Sequence, residues 1–293
     1  MPRGRRLAAL IVAIVVVVYI GVVALYAVNE RSATIVGCGD EPLGDAVLLA
    51  LSPTAVDAAS DRISATISVV SFGPAAASAT GMPESDLTLV VSGTDGARSF
   101  EYAADEIPPI LSLRFVTDGA IEQWPFDAHV AQFAAVAFQE RGGDLRPLPT
   151  VLCGVVHVPS WSFSAEVVDG TGAIVVDGES AAEVRLTAQR SGATIAFGCI
   201  ILGLMIVMPV LGLTVSIRVL RGERKAEASL MSWMAAMLFA TVPLRGFLPG
   251  SPPVGSWVDY LVVLWVIAGL ISSLVIYVIA WLRWAPRGER AGG

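Results

Sequence analysis

AEVRLTAQRSGATIAFGCIILGLMIVMPVLGLTVSIRV, residues 182–219, changes character near its middle. As far as Ser191, apolar and polar residues alternate with period two, the pattern of a half-buried strand. From 193 to 219 the chain is almost continuously apolar and long enough to cross a hydrocarbon core of ~30 Å as a helix. A strand therefore runs almost directly into a membrane span. The two halves of this stretch announce the two kinds of structure in the chain.

Upstream, the strand pattern recurs in ISATISVVS (63–71), LTLVVSG (87–93), LSLRFVTDG (111–119) and SFSAEVVDG (162–170). Asp-Gly pairs at Asp95, Asp118, Asp169 and Asp177 supply turn chemistry. Eight to ten short strands at this spacing predict an antiparallel β-sandwich over 29–191, with a loop at 73–85. The span pattern recurs in LAALIVAIVVVVYIGVVALYAV (7–28), 229–248 and 258–282. The first run follows a basic start and outlasts a signal-peptide core, so it is expected to remain as an uncleaved anchor. The predicted class is thus a membrane α + β protein: one N-terminal transmembrane helix, an extracytoplasmic β-sandwich, and three C-terminal transmembrane helices. The hydrophobic content of 55% and mean hydropathy of +0.69 agree with that class.

Charge sets the expected orientation. Residues 30–190 carry 22 acidic residues against eight arginines, a net charge of −14. Basic residues cluster instead at Arg3, Arg5 and Arg6, at Arg218, Arg221, Arg224 and Lys225, and at Arg283, Arg287 and Arg290. The positive-inside rule puts these clusters, the 1–6 N-terminus and the 283–293 tail in the cytoplasm. The acidic domain and the 249–257 loop are then outside the plasma membrane. A negative surface disfavours nucleic acid as a partner. The expected partners are the bilayer and an envelope protein or small ligand at the outer domain, with a homo-oligomer possible. A single Asn (Asn29) and a single Lys (Lys225) amid abundant Ala, Val, Arg and Gly point to a bacterium of high GC content.

Little in the sequence signals catalysis. It holds no G-x-S-x-G, H-E-x-x-H or P-loop, and only two histidines, His129 and His157. Neither a cofactor nor a metal site is expected, and the reading is non-enzymatic. Cys199 lies inside a predicted span. Cys38 and Cys153 lie in the outer domain, where an oxidising space favours a disulfide between them. Two free thiols, or a zinc site with the histidines, are the alternatives, although the spacings match no zinc pattern. Polar residues in the spans are Thr194, Thr214, Ser232, Thr241, Ser272 and Ser273, with no charge at mid-membrane, which argues against ion-coupled transport. Ala268/Ser272, Gly269/Ser273 and Cys199/Gly203 are small-residue pairs suited to close helix packing.

Two motifs stand out. In EQWPFDAHV (122–130), Pro125 biases Trp124 towards an extended conformation, Trp124 and Phe126 can bury large faces, and Asp127 can accept backbone hydrogen bonds. The stretch is either a stapled turn or a joint between the outer domain and the helices. RGFLPGSPPVGSWVD (245–259) is stiffened and turned by Pro249, Gly250, Pro252, Pro253 and Gly255. Arg245 defies the positive-inside bias and so needs a local partner. Asp259, at the mouth of the next span, is the nearest carboxylate, and Asp127 is the alternative.

The Trp124-Pro125-Phe126-Asp127 motif resembles the aromatic-Pro-Phe-Asp core of the Cys-loop in pentameric ligand-gated channels. That resemblance implies a subunit of a channel-like oligomer. The flanking cysteines are missing, and three spans follow the domain where those channels have four. The same motif, the 245–259 loop, Trp265 and the order of one span, β domain and three spans also resemble the domain of unknown function 4436 family of bacterial and fungal membrane proteins. That likeness implies an architecture and no activity. The favoured reading is an interaction or accessory protein of the cell envelope.

Overall fold

The computed structural model describes residues 13, 16–17, 19–25, 27, 46–76, 81–141, 144–154, 158–168, 175–176, 179–180 and 183–284. Cys38, His157 and the Asp169-Gly170 and Asp177-Gly178 pairs lie outside them. So does most of the expected first span, although its described residues are helical. The chain forms two compact units. One is Met1–Ile121 with Phe126–Thr194, and the other is Glu122–Pro125 with Ile195–Gly293.

The first unit is β-rich. Its strands are β1 (Val47–Asp57), β2 (Arg62–Ser71), β3 (Leu87–Thr94), β4 (Gly96–Tyr102), β5 (Leu111–Gly119), β6 (Ala128–Phe133), β7 (Ala135–Arg141), β8 (Asp144–Leu148), β9 (Thr150–Cys153), β10 (Trp161–Val168), β11 (Val175–Val176), β12 (Glu179–Ser180) and β13 (Glu183–Arg190). A seven-stranded sheet runs β10-β13-β6-β5-β2-β1-β9, and a four-stranded sheet runs β4-β3-β7-β8. All pairings are antiparallel except that of β1 with β9.

Alternation in sequence becomes alternation in burial. β5 points Leu111, Leu113, Phe115 and Thr117 inward and leaves the residues between them exposed. Inward residues of both large sheets, among them Leu49, Ile63, Leu89, Phe115, Phe133 and Leu186, share one core. Phe115 and Phe133 stack there with centroids 4.4 Å apart. At Gly93 (φ +79°), a Cβ would lie 2.3 Å from the Gln132 carbonyl oxygen, so this position in β3 admits only glycine. Pro53 sits inside β1, beyond Ala50, the last residue that β9 pairs with, so its missing N–H leaves no gap in that ladder.

One turn expectation is corrected. Asp118-Gly119 is not a hairpin turn but the end of β5, paired with Val130 and His129. Glycine is needed there because a Cβ would lie 2.3 Å from His129 Nδ1. The segment 73–85, expected as a loop, contains a 3-10 turn at Gly73–Ala75 and a bridge between Ala76 and Pro83.

The second unit is helical: α1 (Gly192–Leu220), α2 (Ala228–Gly246) and α3 (Leu264–Trp284), the last preceded by a π-helical turn, Asp259–Val263. Three helices here, over Gly192–Leu220, Ala228–Gly246 and Asp259–Arg283, are long and apolar enough to cross a membrane. Small residues let α1 and α3 meet. A Cβ on Gly269 would come within 2.9 Å of Pro209, and one on Gly212 within 2.7 Å of Ser273 Oγ. Ser216 donates to the Ser273 carbonyl at 2.7 Å, which satisfies a hydroxyl buried among apolar groups. Ala268, Ser272 and Cys199 are exposed instead, and Gly203 has no neighbour within 4 Å of a Cβ position. Of the expected small-residue pairs, only Gly269/Ser273 packs on a neighbouring helix.

Candidate functional site

The EQWPFDAHV motif is the connection of the β5–β6 hairpin, closed by the Gly119–His129 pair. Register explains what gathers at its base. Gln189 of β13 opposes Ala128 of β6, so the next residue, Arg190, falls opposite Asp127. Arg190 in turn pairs with Trp161 of β10. Residues two apart on a strand share a face, which puts Asp127 and His129 together.

The side chains form one buried cluster. Arg190 Nε lies 3.1 Å from both Asp127 carboxylate oxygens and Nη2 lies 3.0 Å from Oδ2. His129 Nε2 lies 3.2 Å from the same Oδ2. The Arg190 guanidinium stacks over Trp161 at 4.1 Å from the ring centroid, and the His129 ring meets Trp161 edge-on. Asp127, His129 and Arg190 are 2%, 0% and 6% exposed, so the Asp127 and Arg190 charges depend on one another rather than on water. Burial pushes the Asp127 carboxyl up. Hydrogen bonds from His129 and Arg190 and the Arg190 charge outweigh it and hold the group below the usual carboxylate range. His129 Nδ1 is buried without a hydrogen-bond partner, 3.8 Å from Asp61. Directly after Arg190, Ser191 caps α1, its hydroxyl accepting from the Thr194 backbone N–H.

The other half of the motif belongs to the helical unit. The Trp124 indole N–H donates to the Pro249 carbonyl at 2.8 Å, and its ring lies against Gly198, where a Cβ would be 2.7 Å away. Trp124 is buried in a cluster with Ile201, Met205 and Leu248. The Trp124–Pro125 peptide is cis. One expectation about the motif is corrected. Phe126 is 75% exposed, because successive side chains alternate and Asp127 takes the inward position. Asp127 accepts from the side chains of Arg190 and His129 as well as, more weakly, from a backbone amide.

The 245–259 loop is closed by its own ends. Arg245 Nε and Nη2 meet the two Asp259 oxygens at 3.0 and 2.9 Å, a bidentate pair. Nη2 also donates to the Pro253 carbonyl at 3.0 Å, and Asp259 Oδ2 accepts the Gly255 N–H at 2.8 Å. Gly250 and Gly255 turn the chain at positive φ, while Pro249 presents its carbonyl to Trp124. Pro252 is buried and Pro253 exposed. Arg245 is thus paired with Asp259, and Asp127 with Arg190. Cys153 is buried, and Cys199 is the free cysteine among the described residues.

Sequence reasoning missed Arg190 and the parts played by Trp161 and His129. One signal was available. Arg190 precedes a span on the side expected to face outward, the same anomaly that singled out Arg245.

These observations define a class: a β-rich domain followed by three helices of membrane-spanning length. A family model described as domain of unknown function (DUF4436) matches residues 38–187, and the chain belongs to that family. A second, described as domain of unknown function (DUF8686), matches residues 190–284. WPFD therefore lies in the first match and the 245–259 loop in the second. No curated protein matches the chain.

Two outcomes are expected. Asp127→Asn should lower stability by about 3–5 kcal/mol, since it leaves Arg190 buried without its counter-charge. The Asp127 pKa is depressed by folding, so its contribution is full above its unfolded value of ~3.9 and fades as pH falls through the folded value. Thermal midpoints in detergent against pH should show that acid loss in the parent protein and a weaker one in the variant. In the loop, Arg245→Ala and Asp259→Ala should each destabilise, and the double variant should lose less than their sum by about 1 kcal/mol or more. Additive losses would contradict the pairing.

Proposed function

We propose that the chain is a non-enzymatic interaction or accessory protein of a bacterial cell envelope, with an acidic outer β-sandwich fastened to membrane helices through its WPFD segment. One observation carries this reading. Trp124 is built into the helical unit, while Asp127, three residues later, is locked to Arg190 in the β unit. The segment passes from one unit into the other, which supports reading it as a joint. The charged groups at its base are occupied by one another. Three hydrogen bonds from Arg190 and one from His129 engage the Asp127 carboxylate, which suits positioning rather than proton transfer.

The distribution of charge supports four spans in the plasma membrane, both termini cytoplasmic and the β domain outside. The first span is the apolar run at 7–28. A shared core between two sheets supports the sandwich. A Cys38–Cys153 bridge would tie the segment after the first span to β9, and Cys153 is not among the free thiols. The bilayer and a protein or small ligand at the acidic face are the partners this reading names.

A channel-like oligomer is the second reading, because a joint of this kind would also pass motion between a binding domain and a pore. The mass of the purified protein–detergent complex by light scattering separates the two. A monomer or dimer is expected, and a ring-sized oligomer would overturn the first reading in favour of the second. Alkylation of the same sample before reduction should modify Cys199 alone.

A further inference from the structure

The turn between α1 and α2 carries four cations in eight residues: Arg218, Arg221, Arg224 and Lys225. All four are exposed. None takes part in an ion pair among the described residues. Glu223 and Glu227 share the turn and are also unpaired there, so cations remain in excess.

The turn is ordered. Glu223 N–H donates to the Arg218 carbonyl at 3.0 Å and Gly222 N–H to Val219 at 2.9 Å, with Gly222 at φ +77°, a Schellman closure of α1. Its far end is held to α3, where the Tyr277 hydroxyl donates to the Glu227 carbonyl at 2.8 Å and accepts the Glu227 N–H at 2.9 Å. Arg218 can serve the negative end of the α1 dipole. The other three lie past the helix end and have no such role.

Depth decides what they meet. The 19 residues of α2 rise about 28 Å, close to the ~30 Å of a hydrocarbon core. The stapled Arg245–Asp259 loop ends one side of this slab and the basic turn ends the other. Exposed Trp257, Tyr260 and Trp265 lie near the loop, and exposed Trp233 lies near the turn, as aromatic residues do at membrane interfaces. The turn therefore sits at headgroup level, where guanidinium groups fork onto phosphate oxygens.

We infer that the Arg218–Lys225 turn binds the phosphate headgroups of anionic lipids, in preference to zwitterionic ones. The inference rests on the membrane reading of the helices. The test uses the full chain in nanodiscs of phosphatidylcholine alone and with phosphatidylglycerol, reading the lipid retained on the protein by native mass spectrometry. Phosphatidylglycerol should be enriched on the parent protein. The R218Q/R221Q/R224Q/K225Q variant should lose about tenfold or more of that preference, and R221Q/R224Q several-fold. Equal enrichment on parent and variants would overturn the inference while leaving the membrane reading intact. Displacement of the lipid by free glycerol phosphate would assign the turn to a soluble phosphate and overturn it as well. Failure to incorporate into either nanodisc would overturn the membrane reading, and the inference with it.

Discussion

The buried pair of Asp127 and Arg190 is the interaction on which the base of the β5–β6 connection depends. Strand register alone would leave the hairpin connection after β5 free to adopt many paths. A carboxylate and a guanidinium removed from water have few satisfactory arrangements, and a bidentate pair through Nε and Nη2 is one of them. Here the arginine is the last residue of β13, and Ser191, the next residue, caps a membrane-length helix. Fixing Asp127 fixes the base of the segment that carries Trp124. Trp161 covers the guanidinium and His129 flanks the carboxylate, so the pair is closed on two further sides.

The same chemistry recurs in the helical unit in a smaller form. Arg245 and Asp259 staple a loop whose prolines and glycines already limit its shape. Its cation, Arg245, is fully engaged, in contrast to the four on the α1–α2 turn. Within the helical unit, Arg245 at the 245–259 loop is paired, while Arg218, Arg221, Arg224 and Lys225 at the α1–α2 turn take part in no ion pair among the described residues. That asymmetry follows from environment. Where hydration is incomplete a charge needs a local partner, and at a headgroup surface the lipid can supply it.

Much of the architecture was legible because it rests on periodicity. Alternation at 63–71, 87–93, 111–119 and 183–190 reappears in β2, β3, β5 and β13, and three of the four apolar runs reappear as membrane-length helices. Features that depend on partners distant in sequence were less legible. Asp118-Gly119 has the composition of a turn, yet its glycine answers to a histidine ten residues away on the facing strand. Phe126 looked buried by composition and is exposed because its neighbour claims the inward face. Asp127 and Arg190 are 63 residues apart, and only the β6–β13 register brings them together. The Arg245–Asp259 pair, 14 apart across one loop, could be anticipated because the loop itself enforces proximity.

The central proposal is that the WPFD segment joins the β domain to the helices. Hydrogen–deuterium exchange of the full chain in detergent, comparing the parent with Asp127→Asn, tests it most directly. The account predicts faster exchange at 128–133 and 183–190, and also in the 245–259 loop that receives Trp124. Faster exchange confined to the strands, with the loop unchanged, would contradict it.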